Sequence, residues 1–221
     1  KNVMPTICLI SDTHGQHKKL ILPKADWIIH AGDMSSMGTI PQISDFLDWY
    51  GNTNYEKRFL IAGNHDYLFE RQPELAKSMI PEGVTYLESS LVEVDGIKIY
   101  GEPRQPWFHN WAFNVHRGTP IQKYWDAIPD DVNILITHGP PKGVLDMTIE
   151  GDFVGCQDLA IRLQTLEAIK LVVCGHIHEG RGSYEYADGQ LIINASVLNR
   201  SYYLVNKPYV IDTDTWKIIS S

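Results

Sequence analysis

Five short motifs carry side chains that bind cations: Asp12-Thr13-His14, Gly32-Asp33, Gly63-Asn64-His65-Asp66, Thr137-His138-Gly139 and Gly175-His176-Ile177-His178. Each follows an apolar run of strand length, so carboxylate, carboxamide and imidazole groups recur where a strand stops and a loop begins. Five of the nine histidines fall within them, which an even scatter would not produce. Taken singly, each motif has a plainer explanation. Asp-x-His is a turn with a surface histidine, Gly-Asn-His-Asp a turn capping the next helix, and His-x-His a strand edge. Taken together, they describe a centre for two metal ions, and paired divalent cations are a device for attacking phosphate esters.

Spacing sharpens this expectation. Residues two apart on an extended chain share a side, so Asp12 and His14 can grip one ion, and His176 and His178 have the same spacing. Gly15 and Gly32 are expected to keep their loops close to the ions and clear of side chains. The donor set of His, Asp and Asn suits manganese, iron or zinc, with manganese expected, and disfavours calcium or monovalent copper.

The elements that must position these groups are strands buried on both faces: Ile7–Ile10, Trp27–His30, Arg58–Ile61, Ile134–Thr137 and Leu171–Cys174. In a parallel sheet their carboxyl ends lie along one edge, where ligands bind. Between them, Ile40–Tyr50, Asp66–Met79, Thr119–Ala127 and Gln157–Ile169 are expected to be helices, with Thr39-Ile40-Pro41 and Thr119-Pro120 as start signals. Asp95-Gly96 and Asp188-Gly189 mark hairpins, and Tyr209–Ile211 with Trp216–Ile219 adds two short strands. The expected fold class is α/β: a four-layer α/β/β/α sandwich of two mixed β-sheets flanked by helices, one domain spanning residues 1–221.

Composition bounds the partners. The 221 residues include 43% hydrophobic ones, enough for a core without covalent staples, and the formal net charge is −8. An acidic chain repels long nucleic acid, so none is expected as a partner, although two divalent cations would make one spot attractive to anions. Three widely spaced cysteines, Cys8, Cys156 and Cys174, argue against a disulfide framework and fit a reducing, cytoplasmic setting; Cys8 and Cys174 are expected in the core. No apolar stretch reaches the ~20 residues that span a bilayer, so no membrane partner is expected. No secretory leader is visible; the chain begins at Lys1, which leaves a removed leader open. Oligomeric state is not legible.

The motifs resemble those of the calcineurin-like metallophosphoesterases, whose pattern is Asp-x-His, Gly-Asn-His-Asp/Glu and Gly-His-x-His, with Gly-Asp and Thr-His between; no ligand position is missing. Across nearly the whole chain, Pro106-Trp107-Phe108, Thr137-His138-Gly139-Pro140-Pro141, Gly155-Cys156, His176-Ile177-His178-Glu179-Gly180 and Ile193-Asn194-Ala195-Ser196 resemble the metallophosphoesterase-domain-containing branch. That branch is associated with hydrolysis of phosphodiesters, including cyclic nucleotides. Asp66 departs from its more familiar Gly-Asn-His-Glu. The resemblance implies one ion on Asp12, His14, Asp33 and His178 and another on Asp33, Asn64, His138 and His176, with Asp33 bridging. A hydroxide shared by the ions would attack phosphorus, its pKa brought from 15.7 toward about 7.

His65 is left outside both ligand sets and, following Asn64, is expected at the rim, where it would protonate or hydrogen-bond the leaving oxygen. Asp66 would either fix the His65 tautomer or cap the following helix. Pro103–Gly118 gathers Arg104, Trp107, Phe108, His109, Trp111, Phe113, His116 and Arg117; Arg104 and Trp107 are candidate substrate contacts, against the plainer view of a loop anchored by its aromatics. Arg181 could reach an anion, against a solvated arginine. His30 is expected beneath the site and His17 at the surface. The expected function is a dinuclear phosphodiesterase for a small phosphoester or nucleotide. The alternatives are a phosphomonoesterase or protein phosphatase on the same site, and a non-catalytic scaffold module.

Overall fold

Alternation of side chains along short buried strands generates the layers of this molecule, seen in a computed structural model that describes residues 3–221. In chain order the strands are β1 (Thr6–Ile10), β2 (Trp27–His30), β3 (Lys57–Leu60), β4 (Val84–Tyr86), β5 (Ser90–Val94), β6 (Ile97–Glu102), β7 (Gln105–Pro106), β8 (Asn114–Val115), β9 (Ile134–Thr137), β10 (Leu171–Cys174), β11 (Gly182–Glu185), β12 (Leu191–Asn194), β13 (Tyr209–Asp212) and β14 (Lys217–Ser220). The helices are α1 (Ile40–Gly51), α2 (Tyr67–Arg71), α3 (Pro73–Ser78), α4 (Thr119–Asp126) and α5 (Gln157–Leu163).

The first six-stranded sheet runs β14-β13-β1-β2-β3-β4 and the second β11-β12-β10-β9-β6-β5; β7 and β8 form a separate pair. In the first sheet β1 to β4 are parallel and β13 and β14 antiparallel. In the second, β6, β9, β10 and β12 are parallel, with β5 and β11 antiparallel at its edges. Ile7, Leu9, Trp27, Ile29 and Phe59 face Ile99, Ile134, Ile136, Val173 and Ile193 between the sheets. Their neighbours Cys8, Ile10, Ile28 and Leu60 face outward onto Ile43, Phe46, Leu47 and Tyr50 of α1 and onto Leu68 and Phe69 of α2. On the other outer face Leu135, Val172 and Cys174 meet Ile121 and Trp125 of α4 and Leu159 and Leu163 of α5. Two mixed sheets with helices on both outer faces make the four layers.

Local chemistry sets the element ends. Thr39 Oγ1 accepts from the Gln42 N–H at 3.4 Å and Pro41 occupies the first turn of α1, as its sequence signals imply. The single helix expected over Asp66–Met79 is two, because Pro73 forces Gln72 out of the helical region, to φ −134° and ψ 65°. The helix expected over Gln157–Ile169 stops at Leu163, where the Thr165 hydroxyl donates to the Arg162 carbonyl at 2.8 Å. Asp95 and Gly96 both take left-handed backbone, φ 52° and 79°, and join β5 to β6 in a two-residue hairpin. All three cysteines are buried thiols. Among the described residues, no helix is long and apolar enough to cross a membrane.

Candidate metal centre

Every expected ligand lies just beyond the carboxyl end of a parallel strand: Asp12 and His14 after β1, Asp33 after β2, Asn64 after β3, His138 after β9, and His176 and His178 after β10. The first sheet thus contributes four and the second three, and the sheets are pinned together at this edge. Ser11 bridges to Ser196, and Asp12 Oδ2 accepts from the His176 N–H at 2.9 Å and the Ser11 hydroxyl at 2.5 Å.

The side chains converge in two groups. Asp12, His14 and His178 offer ligand atoms within 4.8 Å of one another, and so do Asp33, His138 and His176. Asp33 stands between them, with Oδ2 3.6 Å from His14 Nε2 and 3.2 Å from His138 Nε2. Asn64 Oδ1 lies 2.8 Å from His138 Nε2 and 3.1 Å from His176 Nδ1.

The donor set fits cations. His138 gives its Nδ1–H to the Ala31 carbonyl at 2.8 Å, and His178 gives its Nδ1–H to the Asn199 carbonyl at 3.1 Å. Each therefore presents an Nε2 lone pair toward atoms that also only accept. For His138 these are Asn64 Oδ1 and Asp33 Oδ2; for His178 it is Asp12 Oδ1 at 3.2 Å, with His14 Nε2, a donor or an acceptor according to its tautomer, 3.3 Å away. Acceptors facing acceptors require a proton or a cation between them. An imidazole whose other nitrogen is tied to a carbonyl is the usual form of a metal-ligating histidine. Without a cation, protons fill the role. Burial pushes His138 and His178 down, but the Asp33 and Asp12 carboxylates outweigh it and raise them to about 10 and about 9. His176, buried beside the charged His138, is instead pushed down to about 3.

Aiming these groups strains the chain. Asp12, His14, Asp33 and His176 take φ of 56°, 44°, 58° and 70°, a conformation that costs a non-glycine residue about 1–2 kcal/mol. The loops after β1 and β2 hold one another in it, with Asp12 N–H on the Gly32 carbonyl at 2.9 Å and His14 N–H on the Asp33 carbonyl at 3.0 Å. Gly32 fulfils its expected part, since a Cβ there would lie 2.6 Å from His138 Nδ1. Gly15 does not: a side chain would meet nothing within 4 Å, and glycine serves the backbone, at φ 82°. His30 lies beneath, as expected. Its Nδ1 accepts from Gly32 N–H at 3.1 Å, so its Nε2–H donates to Thr13 Oγ1 at 2.9 Å, bracing both loops.

His65 sits at the rim, its ring edge-on to His14 at 4.8 Å and 4.0 Å from Trp111. Its Nδ1 lies 2.9 Å from the Ser36 carbonyl, so that carbonyl sets the tautomer. It also shares a 4.8 Å grouping with His14 and Asp33. Asp66 does neither thing anticipated for it: its side chain neither touches His65 nor caps α2. Wholly buried, it accepts from the N–H groups of Asp33, Met34, Ser35 and Gly63 and from the Ser35 hydroxyl, at 2.6–3.2 Å. Asp66 therefore ties the Asp33 loop to the Asn64 loop.

Of the three expected substrate contacts, one borders the centre. A cleft of about 420 Å³ opens beside His176, with Trp107 in one wall. Arg104 turns away to the fully buried Glu102, with Nη1 2.9 Å from Oε2, and lies over the Tyr124 ring. Arg181 stacks on Tyr209 and donates to the Lys207 carbonyl. Each arginine is drawn off by a nearer partner. His17, expected at the surface, is buried against Phe46 and Trp49, its Nε2 3.0 Å from Asp45. Sequence reasoning also missed Tyr202, whose ring stands edge-on to His14 at 5.0 Å and His178 at 5.3 Å. It lies beyond the last motif, in a segment with no motif of its own.

Comparison with known proteins points to one family. Residues 5–180 match the model of the calcineurin-like phosphoesterases. Metallophosphoesterase domain-containing protein 1 of Homo sapiens is 39% identical over 231 residues, covering 93% of this chain and 70% of the human protein. The probable rhamnogalacturonate lyase C of Emericella nidulans is 33% identical over 192 residues, which are 82% of this chain but 18% of the fungal protein. TT1561 of Thermus thermophilus has a similar fold, with a TM-score of 0.64 over 99% of this chain and 98% of that one at 13% identity. The span matched by the family model holds every motif that feeds the two ligand clusters, and on that ground the chain belongs to the calcineurin-like phosphoesterase family.

Proposed function

We propose that this protein is a dinuclear metal-dependent phosphodiesterase acting on small phosphodiesters, with cyclic nucleotides as the first candidates. The observation that carries the proposal is the position of Asp33, one carboxylate oxygen shared between two clusters of buried acceptor atoms. Asp12, His14, Asp33 and His178 would hold one ion, and Asp33, Asn64, His138 and His176 the other, with manganese the expected metal and iron or zinc the alternatives. Such a pair supplies Lewis acidity at the phosphoryl oxygens and a water acidic enough to attack at neutral pH.

The protein's own groups do the rest. His138 and His178 are oriented by the Ala31 and Asn199 carbonyls, and His30 and Asp66 hold the loops that aim Asp12, Asp33 and Asn64. His65, outside both ligand sets, faces the leaving oxygen through Nε2, because Nδ1–H is engaged by Ser36. Diesters are the expected class because the motifs resemble a branch associated with phosphodiester hydrolysis; the same pair of ions would also serve a monoester. The test is a panel of cyclic nucleotides, linear diesters and monoesters offered to the manganese-reconstituted protein. Faster turnover of bis(p-nitrophenyl) phosphate than of p-nitrophenyl phosphate is expected; the reverse order would make it a phosphomonoesterase, and no turnover of either would favour a non-catalytic module.

A further inference from the structure

The cleft beside His176 has two walls and no net charge. Trp107 is half exposed, yet it is not loose: its ring is stacked on His116 with centroids 4.9 Å apart and planes 10° from parallel, and its backbone N–H donates to the Val115 carbonyl at 3.0 Å. Pro106 and Phe108 flank it, and Pro140 and Val154 stand among the residues of the other wall. Arg117 locks the walls together through the Gly155 and Val154 carbonyls, at 2.7 and 2.8 Å. The charged lining groups cancel, Arg117 and Arg200 against Glu150 and Glu179; Arg200 lies 3.2 Å from Glu150, and Glu179 accepts from the Ile149 N–H at 3.1 Å. An ionic group entering the cleft would meet no net opposite charge, whereas a flat neutral one would find a rigid aromatic plate. The volume, about 420 Å³, is that of a small-molecule site.

His176 belongs both to this cleft and to the Asp33–His138–His176 cluster. A phosphate held at the centre would therefore have the cleft within reach of one of its ester arms. We propose that the cleft is a subsite for a flat, uncharged aromatic or heteroaromatic arm of the ester, with Trp107 as its stacking surface and specificity determinant. The proposal rests on the phosphoesterase function above and adds to it the chemistry of the group next to phosphorus.

The test is calorimetric binding of phenylphosphonate and methylphosphonate to the manganese-loaded protein, which needs no turnover. Measured at a pH where both phosphonates are fully ionised, the two probes carry the same charge, and a ring in one takes the place of a methyl group in the other. Stacking lost on alanine substitution is worth roughly 5- to 150-fold per ring, so phenylphosphonate is expected to bind about 10-fold tighter or better. Trp107→Ala should bring that ratio close to one with manganese content and melting temperature unchanged, and Trp107→Phe should keep most of it. Should the alanine variant fold poorly, Trp107→Leu, which keeps apolar bulk without a ring, makes the same comparison. Equal affinities in the wild type, or a ratio untouched by loss of the ring, would overturn the subsite and leave the metal centre standing. Binding of neither probe would overturn the centre and the subsite together.

Discussion

Ser36 assigns His65 its chemistry. With Nδ1–H on that carbonyl, Nε2 is the nitrogen left to meet a leaving oxygen, and a positioned general acid contributes about 10²–10⁴-fold. His65→Ala should therefore keep both metals and lose kcat by that factor, read by mass spectrometry of bound metal beside steady-state rates. Loss of a metal equivalent would instead make His65 a ligand, as its proximity to His14 and Asp33 allows. Asp33→Ala should lose metal and activity together. Tyr202 touches His14 and His178 through its ring, so Tyr202→Phe should resemble the wild type while Tyr202→Ala weakens metal affinity in a chelator titration. The ligands are legible in the sequence because each is a polar residue abruptly ending a buried strand. Tyr202 is not, because nothing in a two-tyrosine surface loop records which distant histidines it covers. His17 misleads for the converse reason: burial against α1 depends on a tertiary contact that a single histidine in a polar stretch does not advertise.

Strands are easier to foresee than helices because burial on both faces writes them as unbroken apolar runs, and the strand ends fix where chemistry gathers. The helix boundaries depend on single residues, Pro73 breaking one and Thr165 ending another, whose effect is local and easily outvoted by an amphipathic pattern. Loop-to-loop ties lie further out of reach. Asp66, adjacent to His65 in sequence, serves the Asp33 loop more than thirty residues away, because its carboxylate gathers N–H groups that have no other partner. Burial and the nearby Asp33 charge raise its pKa to about 6 in spite of those bonds. Asp66→Ala leaves several buried N–H groups unsatisfied, at a cost of about 3 kcal/mol or more. For a domain of this size that is a fall of roughly 6–12 °C in melting temperature, measured by scanning calorimetry. Manganese affinity should weaken alongside, since the loops carrying Asp33 and Asn64 lose their common anchor.

At the scale of the whole molecule, two sheets meet at an edge where buried carboxylates need positive charge, and the metal-free protein meets that need with protons. His138 and His178 are raised to about 10 and about 9. Their contribution to the stability of the metal-free fold is full below about 6.5, the ordinary imidazole value, and is lost as pH climbs through 9 and 10. Asp12 and Asp33 act in the opposite sense. Burial opposes their ionisation, but the charge on His138 holds both well below the usual carboxylate range. Their contribution is present above about 3.9 and is lost as pH falls below it. Cations bind the imidazole lone pairs that these protons occupy, so loading at neutral pH must expel them. Calorimetric titration of the chelator-stripped protein with manganese at pH 7, in two buffers of different protonation enthalpy, should report release of about two protons from His138 and His178, with a further share from the metal-bound water, as the centre fills. Above pH 10 the imidazole share should vanish and leave only the proton of the metal-bound water, and apparent affinity should rise between pH 6 and 8 as proton competition weakens. Because the ions bind only the folded chain, stripping them should lower the melting temperature, and by more at pH 8 than at pH 6. Manganese that bound without displacing protons at pH 7 would be binding somewhere other than between His138, His178 and their carboxylates.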